Sequence, residues 1–298
     1  MNPRRIINSI SGPLKHLALA APMAAALWLG TGPSAQAIPP VTNGLVVWLS
    51  ADSINTADTD QVRIVGADTF VKLWKDGSGN SKNATQSVPG DQPKYIASGL
   101  NGKPVLRFTQ VDDNAGSQME LGDISASFPT AGSMFAVSTI NNDGRYNLFD
   151  NAPSDSRWVA NTWTESQPGT FRSGRQIMTY SAWPQSGSHV FAMESTSGIY
   201  RFLSDATVIG STSGGSYNNG SGRSWIIGDR PGNDNGQQLN GDIPEFILYN
   251  RVLTSTEANM VGAYLAGKYG VSTTYPALLH RMCRPGWLPH LHPQGDSL

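Results

Sequence analysis

The sequence predicts an all-β fold, two packed antiparallel sheets with one C-terminal capping helix. Three observations predict it. The chain carries 32 Gly and 19 Pro in 298 residues and is only 14% charged, a composition rich in turn formers and poor in helix formers. Short runs of β-branched and aromatic residues alternate with Gly, Asn, Asp, Ser and Pro clusters at spacings that suit a sandwich. One stretch near the end of the body has helical periodicity with a start and a stop signal.

At the N-terminus, Arg4 and Arg5 precede an apolar stretch, Leu17 to Leu29, that ends near the small-residue triplet Ala35-Gln36-Ala37. This is the layout of a secretory signal peptide. Pro22 interrupts the stretch, which falls short of the ~20 residues that span a bilayer. Cleavage after Ala37 is expected, with residues 1–37 as signal peptide and an exported mature chain, periplasmic, extracellular or on the cell surface, without a membrane span. Loss of Arg4, Arg5 and Lys15 leaves 18 basic against 22 acidic residues, a net charge of −4, which disfavours nucleic acid as a partner. The one cysteine, Cys283, lies outside the body, so no disulfide can form within it.

The expected strands, in order, are Leu45–Leu49, Phe70–Trp74, Lys94–Ile96, Val105–Phe108, Ser133–Ile140, Tyr146–Asp150, Trp158–Thr162, His189–Ser195, Ile199–Leu203, Ser224–Gly228 and Glu245–Asn250. In runs such as Phe135-Ala136-Val137-Ser138-Thr139-Ile140 successive side chains fall on opposite faces, which lets one sheet meet a second. Ser211–Ser221, with three Gly and two Asn, reads as an exposed connection. Thr254 and Glu257 then form a capping box. Ala258, Val261, Tyr264, Leu265 and Tyr269 follow at helical spacing, and Gly270 is placed to end the helix. The domain is expected to span 38–270. Residues 271–298, with three of the five histidines and Arg281-Met282-Cys283-Arg284-Pro285, read as a disordered or frameshifted tail.

Gly44-Leu45-Val46-Val47-Trp48-Leu49-Ser50-Ala51-Asp52 and Trp74-Lys75-Asp76-Gly77-Ser78-Gly79-Asn80 form the first two blocks of a family pattern. Lys103-Pro104-Val105-Leu106-Arg107-Phe108 and Gly241-Asp242-Ile243-Pro244-Glu245-Phe246-Ile247-Leu248-Tyr249-Asn250-Arg251 complete it. Together they resemble the laminin-G-like domains of bacterial exported proteins, within the concanavalin A-like lectin and glucanase superfamily. The resemblance spans about residues 43–270 and implies a two-sheet antiparallel jelly-roll sandwich. It implies function much less, because one fold hosts lectins, glycosidases, adhesion modules and spacers.

Chemistry is weighed class by class. Glycoside hydrolysis needs two carboxyl groups facing one sugar, one with a raised pKa. The related glucanases use Glu-x-Asp-x-x-Glu, a motif this chain does not contain. Its glutamates, Glu120, Glu165, Glu194, Glu245 and Glu257, are scattered; Glu257 is expected to cap the helix and Glu245 to bond a loop or Arg251. His189, the body's single histidine, reads as a surface residue. For metals, calcium suits a chain rich in oxygen ligands, and Asp76, Asn80 and Asp242 are the candidate positions; the alternative is that Asp76 and Asn80 make turns with their own backbone.

Glycan binding needs an aromatic platform ringed by polar groups. Trp158, Trp163 and Trp183, with Tyr146, Asn161 and Arg157, are the candidate ligand-binding residues, whereas Trp48, Trp74 and Trp225 read as core. The expected function is therefore non-catalytic, lectin-like binding of a polysaccharide or cell-surface glycan. The alternatives are a structural or adhesion protein of the cell envelope and, with less support, a glycoside hydrolase.

Overall fold

The computed structural model describes residues 37–112, 115–141, 146–151, 158–162, 170–173, 176–179, 184, 186–213, 222–230 and 238–277, all in the unit Gln36–Leu298. The signal-peptide reading, apart from Ala37, and the tail beyond residue 277 lie outside them. The first half of the body contributes β1 (Leu45–Ser50), β2 (Val62–Val65), β3 (Asp68–Val71), β4 (Leu73–Trp74), β5 (Ala84–Thr85), β6 (Lys94–Leu100), β7 (Lys103–Phe108), β8 (Gln110–Asp112), β9 (Ala115–Gly116) and β10 (Met119–Glu120). The second half contributes β11 (Ala131–Ile140), β12 (Tyr146–Asp150), β13 (Val159–Thr162), β14 (Thr170–Ser173), β15 (Gln176–Thr179), β16 (Gly187–Thr196), β17 (Ile199–Ser204), β18 (Thr207–Ser213), β19 (Ile226–Ile227) and β20 (Gly241–Tyr249). Helix α1 (Ser255–Tyr269) follows.

Apart from β8 and β9, which pair only with each other among the described residues, these strands form two antiparallel sheets, and the architecture is the expected jelly-roll sandwich. A ten-stranded sheet runs β18-β17-β16-β11-β20-β7-β6-β3-β2, with β1 also paired to β20. An eight-stranded sheet runs β15-β14-β13-β12-β19-β10-β5-β4. One edge of β20 serves two partners: Gly241–Ile243 pair with β7 and Glu245–Tyr249 with β1. Pro244 falls between them, and a residue without an N–H fits where one ladder ends and the next begins. The expected strand Phe70–Trp74 is really two strands in different sheets, β3 and β4. The chain crosses at Lys72, where the N–H groups of Lys72 and Leu73 both donate to the Gln61 carbonyl, at 2.8 and 3.1 Å. The loop expected from residue 211 starts later, because β18 continues to Ser213.

Alternation divides the apolar side chains of the ten-stranded sheet between two cores. Met134, Ala136, Phe191, Met193, Phe246 and Leu248 face the space between the sheets, beside Trp74, Trp158 and Trp225. Phe135, Val137, Val190, Ala192, Ile247 and Tyr249 face the other way, beneath α1, and meet Val261, Leu265 and Tyr269. Trp48 belongs to this second core and not to the space between the sheets. α1 has both ends as expected: the Thr254–Glu257 capping box is formed, and Gly270 ends the helix in the left-handed conformation at φ 63°.

Candidate functional site

Glu245, on β20, lies wholly buried under α1. Its carboxylate accepts from Trp48 Nε1 at 2.7 Å, Tyr264 Oη at 3.0 Å, Tyr269 Oη at 2.7 Å and Lys268 Nζ at 2.7 Å. Lys268 also reaches Asp52 at 2.9 Å and Ser50 Oγ at 3.1 Å. The expected Glu245–Arg251 bond is not made. Arg251 instead forms a two-pronged pair with Glu257 at 2.8 and 2.7 Å. Glu245 is a fastening between sheet and helix, and every lone pair that chemistry could use is occupied by a donor.

Two expected binding residues are core residues. Trp158 is fully buried, its ring pressed on Gly132, where an added Cβ would lie 2.1 Å from it. Phe128 and Trp225 flank it at centroid distances of 5.7 and 5.4 Å. Tyr146 is also fully buried, its hydroxyl donating to the Pro184 carbonyl at 3.1 Å. Neither ring can offer a face to a sugar, because each is already packed between the sheets. Asn161 lies on β13 opposite Asn147. Trp163, Trp183 and Arg157 lie outside the described residues.

The three candidate metal positions are engaged separately. Asp76 Oδ1 accepts from the N–H groups of Trp48 and Ser78, and Oδ2 from Ser78 Oγ and Lys82 N, all within 2.9 Å. Asn80 Nδ2 donates to the Leu45 and Val46 carbonyls. Both side chains organise the turn that follows β4 and tie it to β1. Asp242 forms a two-pronged pair with Arg107 at 2.8 and 2.9 Å. Among the described residues no group of three or more His, Cys, Asp or Glu side chains is placed to hold a metal ion. His189 Nδ1 lies 2.6 Å from Asp205 Oδ2, and Nε2 lies 2.9 Å from the Ser186 carbonyl. A ring nitrogen facing a carbonyl must donate. Burial opposes its charge, but the bonds to Asp205 and Ser186 prevail and raise its pKa.

The other face of the eight-stranded sheet holds a polar row that the sequence reading missed. Met119, Phe149 and Ile227 point into the core and pair with one another across β10, β19 and β12. Their neighbours therefore point outward: Glu120 pairs with Ile226 and Thr85, and Ile226 with Asp150. Thr85, Glu120, Ile226 and Asp150 form one cross-strand row, exposed at Thr85, half-buried at Glu120 and fully buried at Asp150. Glu120 accepts from Ser224 Oγ at 3.2 Å. One residue beyond the Met119–Ile227 pair the strands reach Gln118 on one side and Gly228, followed by Asp229, on the other. Asn147 and Asp150 share this outward face because a bulge between Asn147 and Phe149 resets the alternation of β12.

Asp229 is the electrostatic centre. Gly228 sets its direction, with φ at +85° and the Phe108 ring 2.3 Å from where a Cβ would stand; only glycine meets both demands. Asp229 Oδ1 accepts from the N–H of Arg230 at 2.7 Å. Among the described residues, Oδ2 of Asp229 and Oε1 of Gln118 are buried without a hydrogen-bond partner. Burial pushes the Asp229 carboxyl up to about 7, and the Asp150 and Asp91 carboxylates add to this, while the Arg230 N–H and charge oppose it. Asp91 is itself raised by burial. Glutamines brace the floor: Gln92 Nε2 donates to the Gln86 carbonyl at 3.0 Å, and Arg63 Nε to Gln92 Oε1 at 2.8 Å.

Residues 124–259 match a laminin-G-type family model described as Concanavalin A-like lectin/glucanases superfamily. No curated protein matches the chain. Among solved structures, domain 4 of AbnA, a GH43 extracellular arabinanase from Geobacillus stearothermophilus, in complex with arabinotriose, is 13% identical with a TM-score of 0.50. The match covers 73% of this chain and 98% of that one. The binding domain of Botulinum neurotoxin DC in complex with rat synaptotagmin II is 13% identical with a TM-score of 0.52, over 76% of this chain and 52% of that one. Trypanosoma rangeli sialidase is 17% identical with a TM-score of 0.47, covers 78% of this chain, and is spanned over 34% of its own length. At these identities the likeness is one of fold.

Proposed function

We propose that this chain, whose residues 124–259 match the concanavalin A-like model, is an exported, non-catalytic carbohydrate-binding protein that holds a polysaccharide or cell-surface glycan along the polar row of its eight-stranded sheet. One observation carries the reading: on the side of the sheet turned away from the core, exposed Thr85 and half-buried Glu120 lead to the buried polar groups of Gln118, Asn147, Asp150 and Asp229. Carboxylate and amide groups match sugar hydroxyls, which both donate and accept. The row opens to solvent at Thr85 and Glu120, where a ligand enters. The arabinanase domain with arabinotriose supports the reading as a sugar complex on the same fold. Export rests on the signal-peptide layout; cleavage after Ala37 would leave Tyr264, whose hydroxyl lies 2.8 Å from the Ala37 carbonyl, with its bond to Glu245.

A second reading, a structural or adhesion protein without a sugar site, is favoured by the burial of Trp158 and Tyr146. A glycan and polysaccharide screen of the secreted protein separates the two. Binding that falls at least tenfold in Glu120→Ala supports the carbohydrate reading, and binding to no polymer supports the structural one. Binding lost in Trp163→Ala but kept in Glu120→Ala would move the site to the tryptophan loop. Loss of binding on chelation would support a structural calcium, with Asp76, Asn80 and Asp242 as its candidate ligands; binding unchanged by chelation would show that the site works without it.

A further inference from the structure

The floor of the polar row gathers acidic groups around two buried acceptor atoms. Three carboxyl groups from separate elements stand within electrostatic range: Asp150 on β12, Asp229 after β19, and Asp91 in the short turn before β6. Among the described residues, the basic group acting on Asp229 is Arg230, which also gives its backbone N–H to Oδ1. Oδ2 of Asp229, with no exposed surface, and Oε1 of Gln118, nine-tenths buried, meet no donor among the described residues. Gln118 faces outward because its neighbour Met119 packs in the core, one position beyond the Met119–Ile227 pair that leads to Gly228 and Asp229. Both orphan atoms are acceptors. Two unmet buried acceptors, one of them a carboxylate oxygen, call for a ligand rich in O–H donors or for a proton.

We propose that Asp229 is the central acceptor of the glycan site and that it holds a proton while the site is empty, releasing it when sugar hydroxyls donate to its carboxylate. The proposal deepens the carbohydrate reading and rests on it. In the empty site a proton on Oδ2 removes one buried negative charge next to Asp150. A bound polyol replaces that proton: one O–H donates to Oδ2, another to Gln118 Oε1, and the proton passes to solvent. Charged acceptors make the stronger hydrogen bonds, so the deprotonated form is the binding form. With half-protonation near neutrality, the competent fraction, and with it the affinity, rises about tenfold from pH 6 to pH 8.

The test uses the full secreted chain and neutral polymers, soluble arabinan, xylan and mixed-linkage glucan, so that ligand charge cannot change with pH. Carboxyl carbon NMR follows Asp229 directly, without ligand, and affinity is measured at pH 6 and pH 8 for the wild type and Asp229→Asn. The expected results are an Asp229 midpoint near neutrality, wild-type affinity about tenfold higher at pH 8, and weak, pH-independent binding by the variant. An Asp229 midpoint below pH 5 overturns the proposal whatever the ligand. Equal wild-type affinity at both pH values, or tight binding by Asp229→Asn at pH 8, overturns the proposal and leaves the carbohydrate reading standing. Binding to none of the polymers by a protein whose Asp229 titrates near neutrality overturns the carbohydrate reading and the coupling built on it.

Discussion

At the scale of single residues, Asp229 makes the sharpest statement about stability. Its folded pKa of about 7 stands above the ordinary carboxyl value, so the native state binds the extra proton. The associated stability is complete below the unfolded pKa near 4 and is lost as pH rises through about 7. Asp229→Asn keeps the shape and removes the charge. It is expected to be more stable than the wild type at pH 8, by on the order of 3 kcal/mol, and to show little difference at pH 4. Denaturant unfolding at the two pH values checks this; a variant less stable at pH 8 would contradict the buried, proton-holding carboxyl. None of this was legible in the sequence, because Gln118, Asp150 and Asp229 are isolated polar residues from three separate segments. The bulge that turns Asn147 and Asp150 to one face is invisible to a rule of strict alternation. The one signal within reach was local: Asn147 and Asp150 interrupt an otherwise apolar strand, and Gly228-Asp229 follows another.

Elements show the opposite balance. The helix was legible to its caps, because Thr254, Glu257 and Gly270 act through their own neighbours in the chain. The tie between helix and sheet was not, since Glu245 meets Trp48, Tyr264, Lys268 and Tyr269 only after β20 and α1 are packed. Trp158 failed as a binding residue for a related reason: its position beside polar loops in sequence says nothing of Gly132, which makes room for its ring from the facing sheet. The energetic ranking follows from burial. Thr254→Ala removes an exposed cap and is expected to cost about 1 kcal/mol. Glu245→Ala removes the buried counter-charge of Lys268, leaving it Asp52, and takes the acceptor from three further donors, and is expected to cost about 3–5 kcal/mol. Urea unfolding of both variants measures the difference; equal costs would show that the buried network contributes no more than the cap.

For the whole molecule, the two faces of the sandwich are built for different work. The outer face of the ten-stranded sheet is consumed by α1 and by the network around Glu245. The outer face of the eight-stranded sheet carries the polar row, to which the proposed ligand is assigned. Composition and strand patterning made the sandwich legible, because both follow from backbone preferences. The assignment of faces was not, since it depends on which strands cross between sheets, as the chain does at Lys72. The most direct test of the account is amide and side-chain NMR mapping of the polysaccharide that the screen identifies. Shifts concentrated at Thr85, Gln118, Glu120, Ser224 and Asp229, with α1 unaffected, are the predicted result. Shifts confined to α1 and the strands beneath it, with the polar row silent, would contradict it.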